Sequence, residues 1–137
     1  NNRFEIMAQY ARDVLSTVCR EEAGALVRAS RANRKLIRRA SRLIRREQLG
    51  LSPRAEEHLC RALALSPRVQ AVYQAKLRLQ EIWQRSSTTS EMLVHQLENW
   101  CHAAEVSGIE SLETFSSKLK GYRLLAEDCP YPVKTPA

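Results

Sequence analysis

From Arg28 to Arg46, nine of nineteen residues are cationic, and no acid occurs between Ala23 and Arg46. Through the same stretch Ala29, Ala32, Leu36, Ala40 and Leu43 recur at steps of three and four, with Ile37 and Ile44 beside them. A half-buried strand would alternate apolar and polar residues with period two; steps of three and four mark one face of an α-helix. The spacing predicts a helix over residues 26–47. On it Arg28, Arg31, Lys35, Arg38, Arg42 and Arg45 form one ridge, and Arg34, Arg39 and Arg46 widen it.

The ridge dominates the charge of the chain. The 137 residues carry 22 lysines and arginines against 15 acids, a net charge of +7. The arginine segment alone is +9, which leaves the remainder at −2, and residues 81–115 hold six acids and one arginine. Guanidinium groups suit phosphate because each donates two parallel hydrogen bonds. Three targets fit the ridge: anionic lipid headgroups, a nucleic-acid backbone, or the chain's own acidic helices, which would leave a solvated and partly neutralised face. Lipid ranks ahead of nucleic acid here. Single-stranded nucleic-acid sites interleave stacking rings with basic residues, and no aromatic residue lies between Tyr10 and Tyr73. A duplex backbone needs no rings.

The rest of the chain also reads as helix. Phe4, Met7, Ala8, Ala11, Val14, Leu15 and Val18 give a first apolar face, which Gly24 ends or weakens. Gly50 marks a turn. Ser52-Pro53 and Ser66-Pro67 each read as a helix start, with serine capping free amides and proline at the first helical position. Val69, Val72, Tyr73, Leu79, Ile82 and Trp83 form the next face, ended by the polar run Ser86–Ser90. Thr88 with Glu91, and Ser107 with Glu110, have capping-box spacing. Leu93, Leu97, Trp100 and Ala104 line one helix; Ile109, Leu112, Phe115, Leu119 and Tyr122 line the last, with Gly108 and Gly121 at helix ends. Only four glycines, five prolines and two phenylalanines exclude collagen, flexible linkers and a β-sandwich. The expected fold is an all-α antiparallel bundle of about six helices. Residues 1–127 form one helical domain, and 128–137 an extended or disordered tail rich in proline.

Candidate chemistry is sparse. No apolar run approaches the ~18 residues of a membrane span. Cys19, Cys60, Cys101 and Cys129 lack metal-knuckle spacing and read as reduced, mostly buried thiols of a cytoplasmic protein. His95, Glu98 and His102 share one helical face, but only one helix supplies them, so they read as a polar edge and not a metal site. Cys101 and His102 are adjacent, and adjacent helical residues point in different directions. The catalytic, cofactor and metal residue sets of this chain are therefore expected to be empty. Its opening at Asn1 suggests a fragment of a longer protein.

Two resemblances follow from these residues. The opening stretch Asn2-Arg3-Phe4-Glu5-Ile6-Met7-Ala8-Gln9-Tyr10-Ala11-Arg12-Asp13-Val14 resembles the segment after the catalytic region of bacterial membrane fatty-acid (acyl-CoA) desaturases. Leu79-Gln80-Glu81-Ile82-Trp83, Trp100-Cys101, and Ala104-Glu105-Val106-Ser107-Gly108-Ile109 through Leu119-Lys120-Gly121-Tyr122 resemble the C-terminal extension of the same family. That resemblance implies a non-catalytic accessory domain of a di-iron oxidoreductase of unsaturated-fatty-acid synthesis. It would sit on the cytoplasmic face of the bacterial inner membrane. Its partners would be the catalytic membrane domain of the same chain and anionic lipid. The pattern also resembles, more weakly, the helical segment of a family of DDE insertion-sequence transposases. There an aspartate followed by Phe-His precedes comparable helices, whereas this chain has Asn2-Arg3-Phe4-Glu5 and stops after a Pro-rich tail. That alternative implies a segment binding the DNA backbone. A plain protein-interaction bundle is the third reading.

Overall fold

The computed structural model describes residues 2–25, 30–46, 50–84 and 89–128, with side chains for all of these except 2 and 122–128. These residues form helices joined by short caps and turns, without a strand among them. The elements are α1 (Asn2–Tyr10), a π-helical turn (Ala11–Leu15), α2 (Ser16–Ala25), α3 (Arg31–Ile44), α4 (Pro53–Leu65), α5 (Pro67–Gln84), α6 (Ser90–Glu105) and α7 (Glu110–Asp128). Because α1, the π turn and α2 run on without a break, the described residues form six rods. It divides into two compact units, Asn1–Leu77 and Arg78–Ala137, with the boundary inside α5.

In the first unit the π turn decides which residues face inward. Its wider loop, closed by the Ser16 N–H on the Ala11 carbonyl, inserts one residue and slips the helix face by one position. Traced back from Val14, Leu15 and Val18, the core therefore continues to Tyr10 and Ile6. The expected Ala11, Met7 and Phe4 are displaced from it, and Phe4 is 60% exposed. The Tyr10 hydroxyl donates to the Val72 carbonyl at 2.5 Å, which ties α1 to α5.

Serine caps set the other helix starts. Ser30 Oγ accepts from Asn33 N at 3.1 Å, so α3 begins at Arg31 and not near residue 26. Ser52 Oγ accepts from Ala55 N at 3.1 Å and Ser66 Oγ from Val69 N at 3.2 Å, as both Ser-Pro pairs predict. Ser66 also donates to Glu22 at 2.7 Å, and Arg68 reaches Glu22 at 3.0 Å and Glu21 at 2.9 Å, fastening the end of α2 to the start of α5. Gly24 lies in the last turn of α2, which is described to Ala25. Gly50 takes a φ of 87°, the left-handed turn conformation that favours glycine.

In the second unit α6 and α7 pack through Leu97, Trp100, Cys101 and Ala104 on one side and Ile109, Leu112, Phe115 and Leu119 on the other. Trp100 and Phe115 meet edge to face, their centroids 5.8 Å apart. The cap of α6 is Thr89, which accepts from Met92 N at 3.2 Å, one residue beyond the expected Thr88. Ser107 caps no helix. It donates to the Ala104 carbonyl and accepts from Ile109 N, building the turn in which Gly108 has a φ of 78°. Gly121 lies inside α7, which continues to Asp128. Tyr122's side chain and the tail from residue 129 lie outside the described residues.

Candidate functional site

The arginine segment folds as α3. At 100° per residue its buried residues Ile37, Ala40, Leu43 and Ile44 centre on one side of the helix. Arg31, Arg34, Lys35, Arg38, Arg39, Arg42, Arg45 and Arg46 spread over an arc of about 140° on the opposite side. Arg34 and Arg39 are half-buried at the edges of that arc, and the other six are exposed. Ala32 is exposed and Leu36 half-buried, so the expected apolar stripe rotates toward Ile37 and Ile44. Arg28, expected to open the ridge, lies outside the described residues and before the Ser30 cap.

None of these eight cations forms a salt bridge with an acid among the described residues. Glu21 and Glu22 are engaged by Arg68, and Glu105 by Lys120. Arg45 Nε donates to the Ser41 carbonyl of its own helix at 3.1 Å. The helix also holds four like-charged pairs at i,i+4 (31/35, 34/38, 35/39 and 38/42). Each such pair destabilises a helix by about 0.2–0.5 kcal/mol, or roughly 1–2 kcal/mol together. A bound polyanion would relieve that repulsion.

Two features hold α3 in place. Its inner face packs on α2 and α4. At its C-terminus the buried Lys76 of α5 donates to the Ile44 carbonyl at 2.5 Å and the Arg46 carbonyl at 2.8 Å. A cation there complements the helix dipole and satisfies carbonyls that have no partner within the helix.

The ridge is flanked by two clefts. Between α2 and α3 lies an open cleft of about 570 Å³, walled by Arg20 of α2 and by Arg34, Arg38, Arg42 and Arg45 of α3, over Ser16, Cys19 and Ser41. Burial pushes the Cys19 thiol above its ordinary pKa, against the lowering effect of Ser41 and Arg45. Between α3 and α4 lies a smaller cleft of about 250 Å³, lined by Lys35 and Arg39 of α3 and by His58 and Arg61 of α4. Arg20 and Arg61 thus join the basic surface from helices whose sequence gave no sign of it.

Other candidates separate. His95, Glu98 and His102 are all exposed. No group of three His, Cys, Asp or Glu among the described residues could hold a metal ion. Cys101 is buried with its Sγ toward the Ser116 carbonyl, while the adjacent His102 is exposed, so they form no thiol–imidazole pair. Cys19 is also buried and Cys60 is exposed, all three as free thiols; Cys129 lies outside the described residues.

Comparison with known proteins identifies the surroundings of this surface. A transposase family, the ISL3 group of DDE transposases, matches residues 2–125. The transposase for insertion sequence element IS1001 of Bordetella parapertussis is 31% identical over 136 residues. That alignment covers 96% of this chain and 32% of the relative, so the chain spans about a third of that protein's length. No solved structure matches the chain.

These matches overturn the desaturase resemblance, and with it the reading as an accessory domain of a lipid-metabolic oxidoreductase. The shared stretches were apolar helix motifs without catalytic residues, which unrelated helical segments can carry in common. The expected partners, a catalytic membrane domain and anionic lipid, fall with it, as does the placement at the inner membrane. No helix among the described residues is long and apolar enough to cross a membrane. The departure at Asn2-Arg3-Phe4-Glu5, which counted against a transposase, lies at the edge of the matched region and does not break the match.

Proposed function

The chain belongs to the ISL3 family of DDE transposases, and on that premise we propose that it is a helical segment holding the backbone of duplex DNA, with α3 as its contact surface. The observation that carries this reading is the outer face of α3: eight cations on one side of a helix, without an acidic partner among the described residues. The contact is to phosphate and not to bases. Arginine forks match phosphate oxygens, and the face carries no aromatic side chain on which an unpaired base would stack.

A 14-residue helix is about 21 Å long and lies alongside several phosphates, since a duplex carries one charge per ~1.7 Å of its axis. The cleft between α2 and α3 extends the surface sideways through Arg20. Phosphate contacts position a protein on DNA without reading sequence. The segment therefore anchors a longer transposase on its DNA and contributes no base readout through this face.

Fluorescence anisotropy with several duplexes of unrelated sequence tests this. The triple variant Arg31→Gln, Arg38→Gln, Arg42→Gln, all at exposed positions, is expected to weaken binding by a similar factor on every duplex. Affinity unchanged in that variant, or lost on one sequence only, contradicts the assignment.

A further inference from the structure

The α3–α4 cleft contains a group that backbone contact by α3 does not use. His58 lies among Lys35, Arg39 and Arg61. Its Nδ1 is shielded from solvent and has no hydrogen-bond partner among the described residues, although the residue as a whole is only half-buried. The cleft thus brings three permanent cations together around a titratable imidazole, with no acid among its lining residues.

From this geometry we infer that the α3–α4 cleft is an oxyanion site for a phosphate group, in which Lys35, Arg39 and Arg61 supply permanent charge and His58 takes up a proton as the anion binds. The site shares Lys35 and Arg39 with the α3 face but adds His58 and Arg61 of α4; the duplex test above replaces none of these four, so the two readings fail separately.

The charges around His58 explain why its proton follows the ligand. Its pKa is lowered, first by desolvation and then by Arg39 of α3 and by Arg61 and Arg54 of α4, against the raising effect of Glu57. Lys35 of α3 lines the same cleft. On the α5 side of α4, Tyr73 faces Glu56 and Cys60. At neutral pH the imidazole is therefore mostly neutral. A bound dianion reverses the local field, offsets the arginines and accepts a hydrogen bond from the protonated ring. The pKa then rises in the complex, and affinity must be higher below the free-state pKa and fall as pH rises through the bound-state pKa. Each unit of rise is tenfold in affinity.

The test uses sulfate, whose charge is constant across this range, and separately a short duplex, with the His58 ring followed by NMR. Sulfate is expected to raise the His58 pKa by about one unit and to bind about tenfold tighter below the free-state pKa than above the bound-state pKa, both read from the NMR titration. His58→Gln should abolish that pH dependence. Arg61→Gln should weaken binding at every pH. A duplex that moves the same resonances identifies the phosphate as part of DNA, whereas a response to sulfate without one to duplex identifies a small free anion. His58 signals unmoved by both ligands, or a pH dependence unchanged in His58→Gln, overturns the site.

Discussion

Replacing Lys76 by methionine probes what fixes the arginine helix. Lys76 is 7% exposed, and its ammonium donates to the carbonyls of Ile44 and Arg46 at the end of α3. Methionine keeps the volume of the stem, so packing changes little. It also removes a buried charge, whose desolvation had cost stability in the parent. Against that gain stand two losses. The Ile44 carbonyl is buried and becomes an orphan acceptor, at a cost of about 1–3 kcal/mol. A cation that complemented the negative end of the helix dipole also disappears, which is worth up to about 2 kcal/mol in a partly buried setting. The Arg46 carbonyl lies at the rim, where water can replace the lost bond. After the desolvation gain is subtracted, the net expectation is a loss of about 1–3 kcal/mol, read from the midpoint of urea unfolding at an unchanged slope. Native-state hydrogen exchange should also show faster exchange at Leu43–Arg46 than in the middle of α3. A loss below about 0.5 kcal/mol would refute the view that Lys76 closes the helix end.

Three further outcomes follow from the fold. Ser30→Ala should cost about 1 kcal/mol and fray the first turn of α3, because the amide of Asn33 loses its acceptor; a neutral substitution contradicts the cap. Deleting the exposed Arg12 should turn the π turn into an α turn and keep the register on both sides, for less than about 1 kcal/mol, while deleting Thr17 rotates one half of the core by about 100° and should abolish folding. Equal effects of the two deletions on the thermal unfolding curve would discount the π turn as the source of the register shift. In native protein at pH ~8, iodoacetamide should label Cys60 readily and leave Cys101 and the burial-raised Cys19 unreacted, as mass spectrometry would record.

What the residues revealed in advance was mostly local. Ser52-Pro53 and Ser66-Pro67 announce their helices because cap and proline act within four residues of each other, and both serines accept the bonds expected of them. The α7 stripe of Ile109, Leu112, Phe115 and Leu119 was legible because that segment is regular. The first helix was misread because a π turn moves the face by one residue without changing composition. Thr88 and Thr89 are adjacent candidates for one cap, and only the backbone turn chooses between them. The charged ridge was visible as a pattern, but not its surroundings. Arg20, Arg61 and His58 reach it only through the packing of α2 and α4 on α3. Lys76 meets the end of α3 only through the packing of α5, and Glu21 and Glu22 are engaged by Arg68, 46–47 residues away. The desaturase resemblance failed for a related reason: apolar spacing reports that a helix buries one face, which many unrelated proteins share.

The salt dependence of duplex binding tests the central claim most directly. Each phosphate neutralised contributes about −0.9 to the slope of log K against log salt. The parent chain should give a slope of about −4 or steeper, and removing the charges of Arg31, Arg38 and Arg42 should flatten it by about 2.7. A parent slope near zero, or one that the triple variant leaves unchanged, would contradict the assignment of α3 as the DNA-backbone contact.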